Sequence, residues 1–388
     1  MDVTLRPLPY HRDVAAILEA EQPTAFTALL PSAGATTTAE VQDALLRHAY
    51  RLDPSGHPEP HAAVARAAQA LGVTVPIDLF AFEGALASNA ELIFTPERPV
   101  IAFSGETLNR LDADELCAVA GHELAHYVLW TADGGRYLAA SRLLDVAEGD
   151  ARTDAEYLET ARRLRLATEL FADRGALVAC GELTTTLRSL LKVTTGLAHV
   201  DPDGYLRQAA RAAEVDLAKP STGTSHPETV LRAWALQRWE QDGDAAEPQI
   251  ARALATQLDL NALDLLDQDR LRTVTRVLVG AVLDYPDMRT EDVVEHADQF
   301  GVHVGAPARL DLSVDDLAPE TRRYLAAVLL DFATVDPDLG VDGLARMFRL
   351  ARRAGLGPEL DKLVASELDL SDRTLANVLT RMDELTGA

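Results

Sequence analysis

Apolar positions along the chain recur mostly at spacings of three and four, as amphipathic helices require, with short apolar runs confined to one region. Residues 1 to about 60 read as short helices punctuated by prolines. The clearest covers 38–51, and Asp53-Pro54-Ser55-Gly56-His57-Pro58 closes the segment as a loop. An Ala-rich amphipathic helix over 61–71 stops at Gly72. Residues 77–82, 91–95 and 100–104 then read as strands. The last two flank Pro96-Glu97-Arg98-Pro99 like a hairpin, and prolines at both ends of that turn suit an edge position.

The next helix has a strong start signal: Asp112 as N-cap with Glu115 completing a capping box. It runs to about Trp130, where Asp133-Gly134-Gly135 breaks it. Helices over 136–146 and 155–179 follow, and after Gly181 the pattern stays helical to about Leu197. Asp201-Pro202-Asp203-Gly204 and residues 219–224 read as loops. The second delivers Ser225-His226-Pro227 to a helix reaching Gln241, with Pro227 in its first turn.

Gln241-Asp242-Gly243-Asp244 suggests a boundary, and everything beyond it reads as helix: 248–258, 269–283, 290–300, 319–332, 342–354, 359–368 and 372–385. Val282-Leu283-Asp284-Tyr285 and Leu329-Leu330-Asp331-Phe332 echo one another as an internal repeat. The expected organisation is an N-terminal helical segment (1–60), a central domain with a small mixed or antiparallel sheet (61–245) and an all-helical C-terminal domain (246–388). The fold class is mainly α, of the α+β kind.

The net charge of −25, from 36 basic and 61 acidic residues, argues against nucleic-acid binding, which needs Lys and Arg on phosphates. Cys117 and Cys180 make no disulfide framework, no basic leader precedes an apolar run, and no stretch nears 18 uncharged apolar residues. These point to a cytoplasmic protein without membrane spans.

Gly121-His122-Glu123-Leu124-Ala125-His126-Tyr127 carries the chemistry. Residues at i and i+4 share a helix face about 6 Å apart along the axis, so both imidazoles can reach one zinc ion. Glu123, one residue round, can face a water without ligating the metal. A catalytic zinc has three protein ligands and an open position. A third histidine of the metzincin kind would need Gly at 129 and His at 132, and Leu129 and Ala132 exclude it. The other common solution is a glutamate on a later helix with an aspartate one turn on. Glu169 and Asp173 supply that pair, whereas Glu148 and Glu159 have no acid four residues on. Taken alone, the pair would read as a solvated helix face. Zinc on His122, His126 and Glu169 would acidify a bound water, Glu123 would act as general base, and Asp173 would orient a ligand histidine. His226, Arg232 and Tyr127 are candidates to stabilise an oxyanion.

With these parts in order, residues 61–241 resemble the gluzincin metallopeptidases that include the CAAX prenyl endoprotease and the heat-shock protease HtpX. The resemblance rests on His122 to His126, Glu169 to Asp173, and Ser225-His226-Pro227 followed by Arg232. It implies a zincin-like domain, one zinc per chain on His122, His126 and Glu169, Glu123 as base, and roles near the cleft for His226 and Arg232. Asn89-Ala90 looks like the family's Asn-Ala on the strand that hydrogen-bonds substrate. Many members are membrane proteins; with no such helices here, a soluble protein or peptide is the expected substrate. Residues 324–356 resemble the helical TerB-type module, whose acidic loop is partly matched by Asp331, Asp336, Asp338 and Asp342, and this part is expected to be a docking domain for a partner protein or a regulatory domain. The expected activity is zinc-dependent endopeptidase; the alternative is a zinc-stabilised scaffold acting through its helical tail.

Overall fold

The computed structural model describes residues 5–31, 38–82, 89–216, 226–254, 257–305 and 314–385. They belong to two compact units, Met1–Thr256 and Gln257–Ala388.

The first unit opens with α1 (Pro9–Glu21), α2 (Pro23–Ala28) and α3 (Thr38–His48). Strand β1 (Ala49–Arg51) follows, then α4 (Pro58–Leu71), β2 (Asp78–Phe82), β3 (Asn89–Ile93) and β4 (Val100–Ser104). After α5 (Thr107–Arg110) come α6 (Ala113–Thr131), α7 (Arg136–Glu148), α8 (Ala155–Cys180), α9 (Leu183–Thr195), α10 (Pro202–Asp216), α11 (Thr229–Asp242) and α12 (Glu247–Leu254).

The sheet is mixed, in the order β1-β2-β4-β3. β3 and β4 are antiparallel, as a hairpin is, and β3 lies at the edge, while β4 is central and parallel to β2. Alternation sorts the strand residues between two faces. Leu79, Ile101 and Phe103 pack with α4 and α6, and Phe80, Val100 and Ala102 pack with Leu45 of α3. β1 corrects the expected helix over 38–51. Its last residues pair with β2, Tyr50 opposite Ala81, because backbone pairing at an open sheet edge outweighs one more helical turn.

Two further readings change. Pro202 begins α10 where a loop was expected, since proline's fixed φ suits the first helical turn. Pro227 precedes α11, which starts at Thr229 with Glu228 as N-cap. The loop over 219–224 and Ser225 lie outside the described residues.

Helix α6 starts as its sequence predicts. Asp112 accepts the Asp114 and Glu115 N–H groups, and the Glu115 carboxylate accepts the N–H of Asp112. That carboxylate is fully buried and also takes the Lys192 ammonium at 2.8 Å, tying α9 to the start of α6.

Helices α6 and α8 cross with almost no side chain between them. A Cβ on Gly121 would overlap the Cβ of Ala179, and one on Gly175 would overlap that of Ala125. A Gly121 Cβ would also lie 3.1 Å from the Gly175 carbonyl, so the main chains are in contact. This crossing sets the spacing between the helix of His122 and His126 and the helix of Glu169 and Asp173.

Behind α8, α1 packs on α7 and α8 through His11, which is 1% exposed. Its Nδ1 accepts the Leu8 N–H at 3.1 Å, so Nε2 carries the proton and donates to Thr168 Oγ1 at 3.2 Å. The ring meets Tyr137 and Phe171 edge-on.

The second unit holds α13 (Leu265–Leu283), α14 (Glu291–Gln299), α15 (Pro319–Thr334), α16 (Gly340–Arg353), α17 (Gly357–Glu367) and α18 (Asp372–Glu384) around one apolar core. The helix expected over 248–258 is described as far as Leu254, and Leu258 forms a bridge with Leu317 in place of a helical turn. Of the acidic residues singled out, Asp336 caps the Asp338 N–H and Asp342 binds Arg381 at 2.6 Å. Among the described residues no helix is long and apolar enough to cross a membrane.

Two outcomes follow from this packing. Gly175→Val should cost about 1–3 kcal/mol through overpacking, only partly offset by better helix propensity, read as a lower urea midpoint. Burial, then Arg12 and His126, depress His11 to about 3. The unfolded imidazole takes up a proton below about 6.5, and the folded one does not until near 3. Stability linked to His11 is therefore present above 6.5 and declines as pH falls towards 3. In metal-free protein, moving from pH 7.5 to 5.5 should cost the wild type about 1 kcal/mol more than His11→Gln.

Candidate metal centre

The α6–α8 crossing brings His122, His126 and Glu169 together, with ligand atoms all within 4.8 Å of one another. Nε2 of His122 lies 3.5 Å from Glu169 Oε2, and Nε2 of His126 lies 3.7 Å from Glu169 Oε1. These gaps are wide for hydrogen bonds. They suit one tetrahedral ion, because donors about 2.0–2.1 Å from such an ion are roughly 3.4 Å apart. Two imidazole nitrogens and a carboxylate are also the donor types that zinc accepts. Among the described residues this is the one group of three or more His, Cys, Asp or Glu gathered closely enough to hold a metal ion.

The surroundings orient these donors. Asp173, one turn after Glu169 on α8, accepts from His122 Nδ1 at 3.1 Å, which leaves Nε2 to point at the cluster. Arg232 of α11 grips the same carboxylate with both arms of its fork, Nε at 2.7 Å and Nη2 at 2.6 Å, and lies 3.8 Å from Glu169. Only 8% of its side chain is exposed, so its charge is committed to these acids. His226, 60% exposed on the cleft side, sets Nδ1 2.8 Å from Glu169 Oε2.

The protonation states follow. Burial alone would lower His122, yet Asp173 and Glu169 outweigh it and raise it to about 10. Burial lowers His126 to about 4. Burial would raise Glu169, but His122 and His226 hold it well below the usual carboxylate range. Asp173 is likewise held low, mainly by Arg232 against the pull of burial. Without a metal, the proton on His122 sits beside the two acids as the local positive charge. A bound cation would replace it, leaving both imidazoles neutral.

Glu123 is 7% exposed, and burial pushes its carboxyl up to about 7. It accepts a hydrogen bond from the backbone of Leu92, so the edge strand β3 and the motif helix meet at this carboxylate. All these groups line one cleft of about 640 Å³, together with Asn89 and Ala90. Tyr127 faces elsewhere: its hydroxyl donates to the Pro96 carbonyl at 2.6 Å.

Sequence reasoning missed Trp130, whose ring lies 5.5 Å from that of His126, centre to centre, and lines the cleft. Its signal was present, because Trp130 continues the i, i+4 series of His122 and His126. The Gly121–Gly175 contact had no comparable signal, since isolated helix glycines carry no mark of their partner.

Residues 54–240 match the family described as Peptidase family M48. Among curated proteins, the Plastoglobule-localized metallopeptidase 48, chloroplastic, of Arabidopsis thaliana is 28% identical over 202 residues, covering 47% of this chain and 56% of that protein. The chain thus spans little more than half the length of this relative. No solved structure matches the chain. The match to Peptidase family M48 spans residues 54–240, and the His122, His126 and Glu169 cluster lies inside that stretch.

Proposed function

We infer that the first unit is a zinc-dependent endopeptidase acting on soluble proteins or peptides. The observation that carries this reading is the convergence of His122, His126 and Glu169 at metal-binding spacing, with the buried Glu123 beside them in one cleft. The family match supports a metallopeptidase and does not favour the scaffold alternative.

Zinc bound there, one per chain, would polarise a peptide carbonyl and lower the pKa of water. Glu123, buried in the cleft beside the cluster, accepts the proton of the attacking water and returns it to the leaving amine. Asp173 fixes the tautomer of His122, and Arg232 fixes Asp173, so Arg232 acts through that carboxylate. His226, exposed at the cleft, is the side chain best sited to donate to the developing oxyanion. Edge strand β3, with Asn89 and Ala90, offers backbone groups to an extended substrate.

The motif order supports a place near the HtpX and CAAX prenyl endoproteases. For the second unit we keep the TerB-like reading and a role in docking a partner protein, supported by its separate helical core. Cytoplasmic location rests on cysteine usage; Cys117 and Cys180 are both free.

Metal analysis should find about one zinc per chain in the wild type and almost none in His126→Ala, which removes one of three protein ligands. Glu123→Gln should retain the zinc and lose at least about 100-fold in cleavage of a denatured protein substrate. Turnover near the wild-type rate in that variant would remove Glu123 from the mechanism.

A further inference from the structure

The cleft extends beyond the metal cluster between α7 and α8. There it is lined by Leu144, Asp145, Ala161, Leu164 and Arg165. Ala161 precedes Glu169 by eight residues, about 12 Å along α8. An extended peptide covers that distance in three to four residues.

Two charged groups in this arm have opposite standing. Arg165 is bound through both arms of its fork to Glu148, at 2.7 and 2.6 Å. Its charge is thereby matched within the protein. Asp145, one turn before Glu148 on α7, is solvent-accessible and, among the described residues, has no ion-pair partner. The charge of Arg165 acts on it, and the Glu148 carboxylate already occupies that fork. Leu144 and Leu164, both buried, give the same arm of the cleft an apolar lining with Ala161. An apolar lining and an uncommitted anion in one arm match a side chain with an aliphatic stem and a cationic head.

Resting on the peptidase reading above, we propose that Asp145 is a specificity-determining residue: the α7–α8 arm of the cleft receives a Lys or Arg side chain of the substrate, within four residues of the scissile bond. The stem lies along Leu144 and Leu164, and the head meets Asp145. The chain's net charge of −25 favours encounter with cationic segments in general.

The test has two readouts. The first is positional scanning of a fluorogenic peptide with Lys, norleucine or Glu at each of four positions on either side of the cleaved bond. One position should favour Lys over norleucine by about 3- to 10-fold in kcat/KM and disfavour Glu. The preference should shrink as salt rises, as expected for a partly exposed charge pair. Asp145→Lys should invert the order, with Glu preferred over Lys. The second readout is fluorescence anisotropy of the same labelled peptides on Glu123→Gln protein. The Lys peptide should bind about 3- to 10-fold tighter than the norleucine peptide, and Asp145→Lys placed in that background should reverse the ranking. Cleavage with no preference for Lys at any position overturns the subsite and leaves the peptidase reading standing. No cleavage, with Asp145-dependent binding retained, overturns the peptidase reading and keeps the cation subsite. Binding indifferent to the Lys side chain, or a preference unmoved by Asp145→Lys, overturns the proposal in either case.

Discussion

The site depends on a contact that involves no functional group: the main chains of α6 and α8 touching at Gly121 and Gly175. Both glycines sit within a turn or two of the ligands, one immediately before His122 and the other two residues after Asp173. Two ordinary helices pack with axes 8–10 Å apart, held off by their side chains. With Ala125, Ala176 and Ala179 completing the seam, these helices come close enough for Glu169 to reach between two imidazoles. Glycine within a helix costs roughly 1 kcal/mol relative to alanine. Here that cost sets the spacing of the ligands.

Once the helices are that close, electrostatics governs what can stand between them. Glu169 and Asp173 are buried carboxylates, and each needs positive charge nearby. Arg232 neutralises Asp173 through two hydrogen bonds, while His122, or a cation in its proton's place, serves both acids. Removing one partner from such a buried network typically costs several kcal/mol, because the remaining charge stays desolvated. The network therefore specifies its geometry more than it adds stability. Glu123 is the exception: burial with a single backbone hydrogen bond leaves its carboxyl near neutrality. Acids on two facing helices thus titrate differently according to what surrounds them.

Much of this was legible in local pattern. The capping box at Asp112 and Glu115, the His122–His126 face, and the pairing of Glu169 with Asp173 all depend on helix periodicity, which sequence spacing records directly. What local pattern does not record is pairing at a distance. β1 adds to β2 only because the sheet leaves an edge open, and the parallel alignment of β2 and β4 is set by packing on α4 and α6. The Asp-Pro-Asp-Gly run at Pro202 carries a turn signal locally, although proline suits a first helical turn equally well. His11 had no signal, since its role comes from Thr168, 157 residues later.

The position of His11 has a consequence for exchange at the centre. Its ring packs against Phe171 and Tyr137 behind α8, and among the described residues the cluster lines the cleft. A metal ion and the proposed polypeptide substrate would both use that cleft. An occupied cleft would lengthen the residence time of the ion behind it, and a chelator would act fastest on the empty protein. In kinetic terms, release of the ion would then depend on whether the cleft is occupied.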